Sequence, residues 1–336
     1  MKMEAQPNGD YLFLILSMQN FLSCDWGTSS FRLRLINVQN LLPLAEISSK
    51  QGIAILYSEW ITSGRPEEER ISFYQRYLFD QLAAMRKKFR LSLKQEPVII
   101  SGMASASIGM KEVPYKDLPF SISDANFKVM SLAASEKFPH PVMIISGVRT
   151  DREVMRGEET MLAGCDISSG AGEQLYIFPG THSKHITVKD GQALDIKTYM
   201  TGEFFELLSA KSILAGSVKK EENAAPNNES FISGIKEGAS ENLLNSAFQV
   251  RTNNLFNKLT PSENYHFLSG LLIGCELGGL QLSPAAITLV CNESIRIQYQ
   301  QALQRLLPGQ EVIYVNADEA LVRGQYRIAL KRLLHN

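Results

Sequence analysis

Asp25-Trp26-Gly27-Thr28-Ser29-Ser30 gathers a carboxylate, a glycine and several hydroxyls in one short stretch. Residues 21–24 before it are mostly apolar and residues 31–36 after it alternate, a pattern that predicts strand, tight turn, strand. In such a turn Gly27 lets the backbone approach a ligand. The amides and the hydroxyls of Thr28 and Ser29 can then face a phosphate. Asp25, at a strand end, can hold the water shell of a magnesium ion. Asp-x-Gly-Thr is also an ordinary hairpin, so the chemical reading leans on a second copy. Pro179-Gly180-Thr181-His182-Ser183-Lys184 lies between the apolar run 174–178 and the strand-like run 185–188. Both copies continue into a third strand, at 41–47 and 193–200. A three-strand unit repeated at long spacing predicts duplicated domains facing each other, with a nucleotide held between two phosphate-cradling hairpins.

The elements that must position these turns are spread over 336 residues, enough for two domains of ordinary size. Lys plus Arg is 34 and Asp plus Glu is 35, so the basic excess of a nucleic-acid binder is missing. A hydrophobic fraction of 44% suits a soluble globular enzyme. Cys24, Cys165, Cys275 and Cys291 are far apart in apolar surroundings and read as free thiols of a reducing, cytoplasmic compartment. His182 and His185 are expected to face opposite sides of a strand, which argues against a metal pair. Residues 1–17 read as an extension outside the fold, their apolar part too short to span a bilayer. The first domain is expected over 18–170 and the second over 171–336, with the glycine-rich stretch 168–172 as hinge. The last helix is a candidate to pack back on the first lobe.

Within the first domain, Ser63 to Glu69 reads as a helix start with early proline and acids. Ile71, Tyr74, Leu78, Leu82, Met85 and Phe89 then make one buried face. Residues 97–100 form a short buried strand running into Ser101-Gly102-Met103, small residues at a strand end where α/β folds put ligands. Lys111 and Tyr115 follow with polar tips. A strand at 142–146 leads through a charged loop, 147–157, into a small helix opened by Glu158 and Glu159. In the second domain, 200–208 reads as strand end, turn and helix, and 219–230 as an exposed loop. Residues 265–280 read as a buried helix carrying Gly270 and Gly274, with Glu276 its one charge. A strand at 286–290, an amphipathic helix to 307, a strand at 311–315 and a helix over 318–334 complete the chain.

No G-x-x-x-x-G-K-[ST] occurs and no G-x-G-x-x-G follows a strand, so neither a P-loop nor a dinucleotide site is expected. The duplicated Gly-Thr hairpins resemble those of the sugar kinase and actin superfamily. Within it the chain is similar to the 2-dehydro-3-deoxygalactonokinase family from about residue 20 onward. The resemblance rests on Asp25-Trp26-Gly27-Thr28, Ser101-Gly102-Met103, Met155 through Thr160, Pro179 through Lys184, Met200-Thr201-Gly202-Glu203 and Leu268 through Gly274. It implies an α/β fold of two duplicated ribonuclease H-like, actin-like ATPase domains around a nucleotide cleft. It implies transfer of the ATP γ-phosphoryl group, with Mg2+, to the terminal 6-hydroxyl of a 2-keto-3-deoxy sugar acid.

On that resemblance Gly27, Thr28, Ser29, Gly180, Thr181, His182 and Lys184 meet the ATP phosphates and Asp25 positions the metal. Glu158 is the base, with Glu159 its competitor or a substrate contact. Ser101, Gly102, Met103, Lys111 and Arg156 line the sugar acid, with Arg149 and Arg152 as further cations for an anionic substrate. Adenosine falls to Gly270, Gly274 and Asn292. Related kinases have a glycine-containing turn where this chain has Cys291-Asn292-Glu293-Ser294, which bears on nucleotide preference. A small-molecule kinase without nucleic-acid or membrane partners is the leading expectation, with a homodimer open. An actin-like ATPase and a sugar-acid-binding pseudokinase are the alternatives.

Overall fold

Strand β1 (Asn20–Trp26) is buried along nearly its whole length because it has a neighbour on each edge. In this computed structural model, which describes residues 19–167, 172–221, 228–282 and 286–334, one neighbour is β2 (Phe31–Asn37), antiparallel, with Asp25 opposite Arg32. The other is β4 (Val98–Gly102), parallel, with Asp25 opposite Ser101. β3 (Pro43–Ser49) pairs with β2. The expected extension at 1–17, most of the expected hinge at 168–172 and positions 222–227 of the expected polar loop lie outside the described residues.

Two helices follow β3. α1 (Ile53–Ser63) buries Ile53, Leu56 and Trp60 and was not foreseen. It ends at Gly64, whose φ of 62° is the left-handed helix-capping conformation, so Ser63 closes this helix, and the expected start lies at Pro66 and the acids 67–69 alone. Residues 67–69 form a 3-10 turn, and α2 (Arg70–Phe89) buries Tyr74, Leu78, Leu82 and Met85 as its periodicity predicts, whereas Ile71 is half-buried and Phe89, at the helix end, is exposed. After β4 come β5 (Lys116–Asp117), β6 (Phe120–Ser121), β7 (Val129–Leu132), β8 (Val142–Ile145), β9 (Val148–Arg149) and β10 (Val154–Met155). The expected charged loop is therefore a small hairpin, β9 against β10, which delivers the chain to α3 (Glu158–Gly164). The first sheet has the order β3-β2-β1-β4-β8-β7.

The second stretch begins with β11 (Glu173–Phe178), β12 (Ser183–Lys189), β13 (Gln192–Tyr199) and α4 (Thr201–Lys211). α5 (Asn228–Ser240) takes in the end of the expected loop: its polar first turn precedes Phe231 and Ile235, which are buried. Short helices α6 (Leu243–Ser246) and α7 (Gln249–Leu255) lead to α8 (Pro261–Leu277). α8 opens on a capping box in which Thr260 and Glu263 satisfy each other's backbone amides, with Pro261 at its first position. β14 (Ala286–Cys291), α9 (Glu293–Leu306), β15 (Val312–Asn316) and α10 (Ala317–Leu334) finish the chain.

The second sheet runs β15-β14-β11-β12-β13, with β11 antiparallel to β12 and parallel to β14. Numbered within its own unit, that is the order 5-4-1-2-3, the order that β8-β4-β1-β2-β3 makes in the first sheet. The duplication expected from the hairpins is thus a duplication of topology. By contacts the chain forms two units. Among the described residues, one takes in those of 19–167, 191–193 and 317–334, the other those of 172–190 and 194–316. The last helix belongs to the first unit. Gln192 and Ala193, also grouped there, pair antiparallel with β6. Each unit has its own core. The first centres on Leu22, Trp26, Phe31, Leu78 and Ile100, the second on Ile177, Ile235, Leu289 and Leu303.

Candidate active site

In the first unit the ends of β1 and β4 and the start of α3 meet. Asp25 lies beside Ser101 in register, and a Cβ on Gly157 would lie 3.8 Å from the Cα of Gly102. Ser101 is buried, and its hydroxyl accepts from Gln325 Nε2 at 3.1 Å, while the same nitrogen donates to the Cys24 carbonyl at 3.0 Å. Gln325 therefore staples the two strand ends that carry Asp25 and Gly102. Burial pushes the Asp25 carboxyl above its ordinary range, against the pull of Arg32 and Arg34. Those two arginines are held by Asp318 of α10 at 2.6 and 2.8 Å.

The turn after Asp25 is closed by Gly27 N–H donating to the Ser30 carbonyl at 2.9 Å, and it leaves Thr28 and Ser29 exposed. α1 starts against this turn: Ile53 and Ala54 donate to the carbonyls of Gly27 and Thr28, both at 3.0 Å. The second hairpin repeats the construction. Glu203, in the first turn of α4, donates to the Thr181 carbonyl at 3.0 Å, and a Cβ on Gly202 would lie 2.6 Å from the Gly180 carbonyl. Gly180, Thr181 and His182 are exposed, whereas Lys184 is buried and donates to the His182 carbonyl at 3.0 Å. His182 bonds to Glu203 and His185 to Glu276, so each histidine has a carboxylate partner of its own.

Glu158 and Glu159 differ sharply. Glu158 is partly exposed, and one of its oxygens accepts the Arg156 amide at 3.1 Å. Glu159 is 1% exposed, with its oxygens taken by the Gly157 amide at 2.7 Å and the Thr160 hydroxyl at 2.9 Å. Burial, and then the neighbouring Glu158, push its carboxyl up to about 8, so it holds its proton at neutral pH. An exposed side chain can reach a ligand hydroxyl and this buried one is tied into its own turn. Arg156 is fixed as few surface arginines are. Its guanidinium lies 4.0 Å over the Tyr115 ring, Nη1 donates to the Ser105 carbonyl and hydroxyl at 2.8 and 2.6 Å, and Nε donates to the Tyr115 hydroxyl at 3.2 Å. Tyr115 also lines a cavity of about 560 Å³ together with Lys111 and Arg149. Arg149 is engaged by Asp117 at 2.7 Å, and Arg152 is exposed.

The glycines expected at adenosine are used elsewhere. A Cβ on Gly270 would lie 2.1 Å from the Phe231 carbonyl, and one on Gly274 would lie 2.4 Å from that of Ile235. They let α8 press against α5, and that packing accounts for them. Asn292 starts α9, and its Oδ1 is buried with no hydrogen-bond partner among the described residues. Gln325, Glu276 and Tyr299 were missed by sequence reasoning. Glu276 had one signal, a lone charge in an otherwise apolar helix. The others carry no local signature. Among the described residues no group of three His, Cys, Asp or Glu could hold a metal, and no helix is long and apolar enough to cross a membrane.

The two units share one strand order, each has a Gly-Thr turn between its first two strands, and the family they belong to is one of carbohydrate kinases. The family model for 2-keto-3-deoxy-galactonokinase matches residues 25–328, and the chain belongs to that family. A relative from Rhizobium meliloti (strain 1021), named "Probable 2-dehydro-3-deoxygalactonokinase DgoK1", is 30% identical over 90% of this chain and 94% of its own. The 2-dehydro-3-deoxygalactonokinase of Escherichia coli (strain K12) is 33% identical over 70% of this chain and 79% of its own. A crystal structure from Sinorhizobium meliloti, of a protein given the same kinase name, superposes with a TM-score of 0.75 at 30% identity, covering 92% of this chain and 98% of that one.

Proposed function

We propose that the protein transfers the γ-phosphoryl group of ATP to the terminal 6-hydroxyl of 2-dehydro-3-deoxy-D-galactonate or a close keto-deoxy sugar acid, in cytoplasmic sugar-acid catabolism. The observation that carries this reading is the meeting of Asp25, Gly102 and the Gly157–Glu158 helix start beside the immobilised Arg156. Glu158 accepts the proton of the attacking hydroxyl. The new bond joins the sugar oxygen to the γ-phosphorus, the bond from that phosphorus to the bridging oxygen breaks, and ADP leaves with the electron pair.

Gly27, Thr28 and Ser29 on one turn, and Gly180, Thr181, His182 and Lys184 on the other, offer amides, hydroxyls and cations to the phosphates. Asn292 Oδ1 offers an acceptor to the adenine amine. Arg156 and Lys111 receive the sugar carboxylate, with Gly102 and Met103 beside the sugar; the buried Ser101 holds that strand end. Asp25 supplies one carboxylate at the end of β1, followed in the chain by the exposed Thr28 and Ser29, and magnesium needs only one or two carboxylates beside the phosphates, so Asp25 is the residue that would position that ion. When bound, magnesium neutralises charge on the phosphate oxygens.

The test is ADP release measured across keto-deoxy sugar acids and the matching neutral sugars. ADP release that depends on the acid is expected. Release without any sugar, or equal turnover of a neutral hexose, overturns the sugar-acid assignment.

A further inference from the structure

Glu276 is a carboxylate at 2% exposure inside α8, and it collects donors from three other elements. His185 Nε2 of β12 lies 3.0 Å from its Oε1. Thr201, the first residue of α4, donates to its Oε2, and the Tyr299 hydroxyl of α9 donates to the same oxygen at 2.7 Å. The Tyr299 hydroxyl has one proton, and it is given to Glu276. Tyr299 lies 3.1 Å from the Ser183 hydroxyl, and Ser183 must therefore be the donor there. The lone pairs of Ser183 remain for the Gly180 amide, which reaches it at 3.3 Å. A directed chain thus runs from Gly180 through Ser183 and Tyr299 to Glu276. Through Thr201 the same carboxylate holds the start of α4, where Gly202 and Glu203 bear on Gly180 and Thr181.

We propose that Glu276 is a positioning residue for the second phosphate turn: its buried carboxyl group, through Tyr299 and Thr201, fixes the orientation of Ser183 and Gly180 and seats α4 beneath Thr181. This rests on the reading of that turn as a phosphate cradle. A buried carboxyl group is costly unless its oxygens are hydrogen-bonded, and here two of the three partners bear on the turn: Tyr299 through Ser183, and Thr201 as the first residue of the helix beneath it. Tyr299 stays protonated at any working pH, because burial and then Glu276 push its hydroxyl well above its ordinary range. The chain therefore keeps one direction.

Tyr299→Phe cuts the chain while leaving Glu276 two donors. The dissociation constants of ATP and of adenosine are measured on this variant, with thermal unfolding to confirm folding. The expected result is an ATP affinity weakened by about tenfold, the scale of one buried hydrogen bond, with adenosine affinity unchanged. Ser183→Ala breaks the chain at its other link and decides the matter if Tyr299→Phe does not fold. Thr181→Ala separates the two readings. If it leaves ATP affinity intact, the turn is not a phosphate cradle. If it weakens ATP while Tyr299→Phe and Ser183→Ala fold with wild-type ATP affinity, the turn binds phosphate and the role given to Glu276 is wrong.

Discussion

Gly324 of α10 lies against the backbone of Thr160 in α3, so close that a Cβ on Gly324 would sit 1.8 Å from the Thr160 carbonyl. Gly164 makes the reciprocal contact with Ala320, also at 1.8 Å. α3 is the short helix that Glu158 opens, so its seat is a helix from the far end of the chain. Arg327 adds bonds to the carbonyls of Ala163 and Cys165 at 3.1 and 2.8 Å.

A methyl group cannot enter that contact without moving one helix. Gly324→Ala is expected to cost about 1–3 kcal/mol of stability by overpacking, and to lower kcat as α3 shifts. Thermal unfolding and steady-state kinetics read both effects. An unfolding midpoint equal to wild type would show that the helices are not packed as described.

Arg156 tests the substrate's charge. Arg156→Met leaves a carboxylate without its partner and is expected to cost roughly 2–5 kcal/mol in kcat/KM for the sugar acid. Turnover of a neutral hexose gives the reference, because the structural bonds to Ser105 are lost for both substrates. An equal loss on acid and hexose would leave Arg156 a purely structural role.

Glu159 makes stability depend on pH. Its carboxyl is held at about 8 in the folded protein against 4.5 for an unperturbed side chain. The unfolded chain therefore binds fewer protons than the native one over that interval, and stability falls as pH rises. The stabilisation is complete below about pH 4.5 and is lost as pH passes 8. Asp25 is shifted in the same direction, so the difference between wild type and Glu159→Gln isolates Glu159. Unfolding midpoints from pH 5 to 9 should decline less steeply in the variant; parallel curves would mean that Glu159 is ionised in the native state.

Asp25→Asn removes a charge without changing shape. The magnesium concentration for half-maximal activity should rise while KM for the sugar acid holds. If the magnesium requirement is unchanged and only stability moves, Asp25 serves the ion cluster of Arg32, Arg34 and Asp318 alone.

The hairpins were legible because strand, glycine turn and strand are local signals, written twice. The buried face of α2 was legible through its spacing. α1 was not, because it ends at Ser63-Gly64, directly before the start signal of Pro66 and the acids 67–69, and the two signals merge in the sequence. Gly270 and Gly274 were read as adenosine contacts; a glycine admits a close approach but does not say what approaches it, and here it is α5. Gln325 and Tyr299 act through partners distant in the chain, Ser101 and Ser183, and no local pattern announces such a contact.

The most direct measurement is kcat for Glu158→Gln beside Glu159→Gln, with 2-dehydro-3-deoxy-D-galactonate and ATP saturating. Glutamine keeps size and polarity and removes the basic oxygen. General-base catalysis is worth about 10²–10⁴-fold, so kcat of Glu158→Gln should fall by that order with ATP affinity nearly unchanged. Glu159→Gln, replacing a group already neutral, should fall far less. Wild-type kcat in Glu158→Gln, or the larger loss in Glu159→Gln, would contradict the assignment of Glu158 as the base.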